Sequence, residues 1–113
     1  SSDVCSSDLI IEKNKLSIEG YITLDNIVKT LDLFEEKIKK IESIEIDFKN
    51  LHNSNSAVLI FIINCIRYSI EKNKELLFIN IPEVLLDLSK VYNLYDIIMK
   101  RGIKNERSFN KWN

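Results

Sequence analysis

The 113-residue chain has two glycines, one proline, one histidine, one methionine and one tryptophan, and each scarcity removes a class of function. Gly20 and Gly102 stand far apart, so there is no glycine-rich loop to cradle a phosphate. His52 is alone, and any serine–histidine–aspartate set would have to be built around it. Two cysteines without metal-ligand spacing argue against a zinc site and for a reducing compartment. No apolar run approaches the ~18–20 residues of a membrane span. The longest, Ala57 to Ile63, suits only a core helix. No basic region followed by an apolar stretch opens the sequence, so no signal peptide is expected. With a formal net charge of -1, electrostatics make no case for nucleic acid as the partner. The four tyrosines and Trp112 lack the spacing of a stacking platform.

What is present suits one domain with one core, at 45% hydrophobic content. The organising stretch runs from Asp47 to Ile66, on the heels of an alternating segment. Ser43 to Phe48 puts Ile44, Ile46 and Phe48 on one face, the period of a half-buried strand. Asn50 to Asn55 is a polar run of turn formers. From Ser56 the chain is apolar, without glycine or proline, and reads as a buried helix with Asn55 and Ser56 at its cap. Amides at such a helix start can hold an anion or sit beside an exposed hydroxyl. The plainer reading is that Asn55 or Ser54 only caps the helix.

Ser1 to Leu9 looks unlike a domain start. Its reverse translation resembles the end of a common sequencing-library adapter, in frame through all nine residues. The expectation is a translated adapter fused to a gene fragment, with a Ser/Asp-rich leader as the alternative. Setting the segment aside removes two acids, Asp3 and Asp8, and one cysteine, Cys5. The domain is then expected over residues 10–100.

Ile10 to Glu12 reads as the remnant of a first strand, and Lys13-Asn14-Lys15 as a turn. Leu16 to Thr23 alternates with Leu16, Ile18 and Ile22 on one side, and Gly20 marks a bulge or a close backbone approach. Thr23 and Asp25 are candidate caps for a helix with a single stripe of Ile27, Leu31, Phe34, Ile38 and Ile41. Its charged face, Glu35 to Lys40, is a solvated face. Leu76 to Ile81 reads as a strand covered on both faces. Pro82 opens a helix whose buried side is Val84, Leu85, Leu88 and Val91. Asn93 breaks it before a short last helix or turn, and residues 101–113 read as a polar, fraying tail. Strands separated by helices predict an α/β fold with a mixed, partly parallel sheet of about four strands and helices packed against it.

The central motif, Asp47-x-x-x-Leu51-x-x-x-Asn55-Ser56-Ala57-Val58-Leu59, resembles the signature of STAS domains. The segment Leu16 to Thr23 looks like that family's opening strand, and Pro82 through Leu94 is similar to its closing helix pair. The resemblance spans Leu16 to Met99. Asn55 and Val58 depart from it, standing where the family usually has Asp and Gly. It is strongest for the STAS subunit of Mla-type phospholipid-transport ABC complexes. Anti-sigma-factor antagonists are also similar, and there Ser56 matches the hydroxyl that a kinase phosphorylates. The resemblance implies a cytoplasmic, non-enzymatic domain without cofactor, metal or catalytic residues. Its partner would be a protein, either an ABC ATPase subunit or an anti-sigma serine kinase, with no membrane insertion. Ser56 would be the phosphorylation or contact residue, with Leu51, His52, Asn53, Ser54, Asn55 and Ala57 forming the partner-binding loop and helix start.

Overall fold

The computed structural model describes residues 6–101. Strand β1 (Ser7–Glu12) and strand β2 (Lys15–Gly20) form an antiparallel hairpin. Its two-residue turn is Lys13-Asn14, with Lys13 at φ 58°. Strand β3 (Ser43–Asp47) lies parallel to β2, and strand β4 (Glu75–Ile79) parallel to β3, giving the sheet order β1-β2-β3-β4. Helices α1 (Ile27–Lys37), α2 (Ser56–Glu71), α3 (Glu83–Val91) and α4 (Tyr95–Arg101) alternate with or follow the strands. This is the mixed α/β architecture that the periodicities predict.

Strand register explains where the core sits. Leu9 lies opposite Ile18, Leu16 beside Ile46, and Ile46 beside Phe78, so one sheet face is a continuous apolar layer. Helix α1 packs on β1 and on α2, while α2 packs on β4, α3 and α4. Rings lock the layers: Phe34 meets Phe61 edge-on at 5.8 Å and Tyr68 at 5.9 Å, and Phe48 meets Phe78 at 5.7 Å. Ile44, Ile46, Phe48, Leu59, Ile66 and Phe78 are all buried, with Ile63 and Leu88 half-buried against them. The opposite sheet face carries Ile10, Ser17, Glu45 and Leu77, alternating with the core residues, and none of these is fully buried.

Several local expectations change. β1 begins at Ser7, three residues ahead of the strand start read from the sequence. Leu9 is buried opposite Ile18, and the Ser6 carbonyl accepts from the Tyr21 N–H at 2.9 Å. A ladder is made by backbone, so Ser7 to Leu9 join the sheet whatever their origin. β2 stops at Gly20, not Thr23. Gly20 has φ +92°, and a Cβ there would strike the Ser6 carbonyl oxygen, so this is the expected close backbone approach. The α1 cap is Asn26. Thr23 supports it by an exchange of bonds: the Asn26 N–H donates to Thr23 Oγ1 and the Thr23 N–H to Asn26 Oδ1.

Strand β4 is not covered on both faces, since Leu76 and Phe78 are buried while Leu77 and Ile79 are half-exposed. The buried side of α3 is rotated from the predicted one. Leu85 and Ser89 are buried, while Val84 and Val91 are 56% and 73% exposed. Ser89 tolerates burial because its hydroxyl donates to the Leu86 carbonyl at 2.6 Å. Two helices end alike. Asn73 after α2 and Asn93 after α3 take left-handed φ of 58° and 61°. The next residues, Lys74 and Leu94, then donate back to the carbonyls of Ser69 and Ser89, each at 2.8 Å. In a chain nearly without glycine, asparagine closes these two helices. Of the expected tail at residues 101–113, Arg101 is the last residue of α4, and 102–113 lie outside the described residues.

Candidate functional site

The loop from Phe48 to Asn55 is built on the end of β3, where Asp47 acts as an anchor. Its carboxylate accepts from the Lys49 N–H and from Asn80 Nδ2, both at 2.9 Å, and lies 3.4 Å from Lys15 Nζ. Burial alone would push this carboxyl up. The hydrogen bonds from Asn80, Lys49 and Lys15, with the charge of Lys15, outweigh it and hold the pKa below the usual value. One side chain thus ties the site loop to the β4–α3 turn, where Asn80 sits at φ 60°.

Further along, the loop is stitched to the end of β2. Leu51 bridges to Gly20, and the His52 N–H donates to the Gly20 carbonyl at 2.7 Å. Asn53 behaves as a backbone mimic. Its Oδ1 accepts from the Ile22 N–H at 3.2 Å and its Nδ2 donates to the Ile22 carbonyl at 2.7 Å. The exposed His52 ring stacks on Tyr21, centroids 5.1 Å apart. Ser54 is half-buried. Asn55 is the N-cap of α2, accepting from the Ala57 N–H at 3.1 Å.

At the first turn of α2 the expected residues divide. Ser56 is exposed, whereas Ala57 and Val58 are buried at 2% and 0%. Ala57 therefore faces the core and is no contact for a partner. The same burial places Val58 in the core packing. Ser56 does not line the same hollow as Leu51 and His52. It stands instead at one end of a separate open groove of about 490 Å³ between α2 and the α3–α4 corner. The groove floor is the stripe Ser56, Ile60, Ile63 and Arg67, and its far wall is Tyr92 and Leu94. Leu51 and His52 line a different, polar hollow of about 400 Å³ with Glu19, Lys49 and Asn50.

Sequence reasoning missed Ile60, Arg67 and Tyr92 as parts of one surface. A signal was present: Ser56, Ile60, Ile63 and Arg67 recur at helical spacing on one face of α2. What no periodicity shows is that the α3–α4 corner comes to lie beside that face. Cys65 is fully buried, and burial pushes its thiol well above the usual value, with the Glu35 charge adding to the effect. Among the described residues no helix is long and apolar enough to cross a membrane. Neither a scan against protein-family models nor a search of curated proteins finds a match to this chain.

Proposed function

We propose that this chain is a STAS-type, non-enzymatic regulatory domain that acts by docking on a protein partner through Ser56 and the adjoining face of α2. The observation that carries this reading is the open apolar groove with an exposed serine at its end. It offers side-chain contacts of the kind that fill protein interfaces, Tyr92 and Arg67 among them. The site loop beside it is held by Asp47 and Asn53, so the helix start presents a preorganised surface. The partner follows from the sequence resemblance: the cytoplasmic ATPase subunit of an Mla-type phospholipid-transport ABC complex. A second reading is favoured by the exposure of Ser56 at a helix start. There it is accessible to an anti-sigma serine kinase, as in an anti-sigma-factor antagonist.

The test is co-purification with the ATPase or kinase encoded beside the gene. Ser56→Ala removes one contact and leaves the fold nearly intact. Ser56→Glu abolishes capture, because it adds bulk and charge to a packed contact. The folded monomer tolerates the same charge, since an anion in the first turn of a helix is favourable by ~0.3–1 kcal/mol. Unchanged capture by Ser56→Glu would leave Ser56 as no more than a helix-start residue. Turnover by the purified domain that a change at His52 or Cys65 abolished would overturn the non-enzymatic reading.

A further inference from the structure

Resting on the docking role proposed above, we infer the chemistry of the groove's occupant: an amphipathic helix of the partner that lays apolar side chains on Ile60 and Ile63 and sets a carboxylate on Arg67.

The groove is apolar along its length and ends in a charge. Arg67 is exposed and makes no ion pair with any of the described residues. It is the single charged residue lining the groove. The other polar side chain at that end is already engaged, as Asn64 Nδ2 donates to the Ile60 carbonyl at 2.8 Å. A guanidinium at the rim of an apolar trough selects a ligand with an apolar body and an acidic end, and its planar fork suits a carboxylate.

Geometry favours a helix over a lipid with the same polarity. Ile60 on the floor and Tyr92 on the far wall are 43% and 54% exposed, so the trough is open to solvent. An acyl chain needs walls that enclose most of its surface. An open trough lets a helix seat one stripe and keep its other face in water. From Ser56 to Arg67 the floor runs three helical turns, roughly 16 Å at 1.5 Å per residue. That matches three turns of a partner helix, with apolar anchors at i, i+4 and i+7 and the acid beyond the last. The dipole at the start of α2, which has no acidic residue in its first turn, does not oppose a second acid at the Ser56 end.

The test pans the full chain against a displayed library of helix-forming peptides about 16 residues long, three turns plus flanks. Recovered binders are expected to share helically spaced apolar residues and one acid. Their affinity for Arg67→Glu should fall by about tenfold or more, and changing the peptide's acid to Lys should restore it. Ile60→Asp should abolish binding. Both variants alter exposed residues, and thermal melts confirm that they fold. Failure to recover binders, binders without an acid, or equal affinity for Arg67→Glu would overturn the inference. Binding to phosphatidylglycerol vesicles that Arg67→Glu removes would also overturn it, in favour of an anionic lipid. If panning fails while capture of the neighbouring ATPase still depends on Ser56, the occupant is wrong and the docking role stands. Peptide binding without any capture would uphold the groove chemistry and sink the ATPase as the source of the helix.

Discussion

Replacing Asp47 by Ala removes the acceptor that joins three segments of the chain. The Lys49 N–H and the Asn80 amide each lose a charge-assisted hydrogen bond, of a kind worth ~1.5–3 kcal/mol. Both partners lie near water and regain part of that by hydration. The ion pair to Lys15 adds little, because that side chain is 45% exposed. The expected loss is therefore about 2–3 kcal/mol at neutral pH, a large share of the stability of a small domain. The loss should also depend on pH in a definite sense. The folded-state pKa of Asp47 is lowered from 3.8, so folding favours its ionised form. That contribution is complete above the unfolded-state value and disappears as pH falls through the lower folded-state value. Urea titrations followed by far-UV circular dichroism, on wild type and Asp47→Ala, should show a gap at pH 7 that narrows by about pH 3. A constant gap over that range, or none at pH 7, would refute the account of Asp47 as an ionised anchor.

Three further outcomes test the rest of the fold. Phe61→Ala, at a fully buried ring that meets Phe34, should cost ~3–5 kcal/mol by urea titration. Gly20→Ala should destabilise by at least ~1–2 kcal/mol, because the position combines φ +92° with a backbone oxygen in the space of the new methyl. In a Cys5→Ser background, the Cys65 thiol should resist a thiol reagent in the folded protein and react at once in urea, since it is fully buried with a raised pKa. Rapid labelling without urea would show that α2 opens far more readily than its packing implies.

Legibility in the sequence follows how strictly each residue type is bound to one environment. Ile44, Ile46 and Phe48 alternate because a strand allows little else, and the strand is where the alternation puts it. Asn55 is readable as a cap because its short amide has few better uses before an apolar run. Helix α3 departs from its apolar stripe where a polar residue is buried. Ser89 is buried with its hydroxyl satisfied by the Leu86 carbonyl, while Val84 and Val91 face outward. Strand β4 reads as doubly covered because its second face is apolar, yet Leu77 and Ile79 are only half-buried. The loop of the candidate site is legible, but the groove beside α2 is not. The groove exists only because Tyr92 and Leu94, at a corner distant in sequence, are brought beside Ile60 and Arg67.

The first strand is held to the sheet by few demands on its own sequence. Along Ser7–Glu12 the ladder is made by peptide groups, and the inward positions that press on the core are Leu9 and Ile11, with Ser7 bonded to the Thr30 hydroxyl at 2.7 Å. The berth beside β2 is thus specified by extension, alternation and two greasy side chains. The outward positions Asp8, Ile10 and Glu12 are exposed and set no such terms, so this edge of the sheet constrains only every second residue.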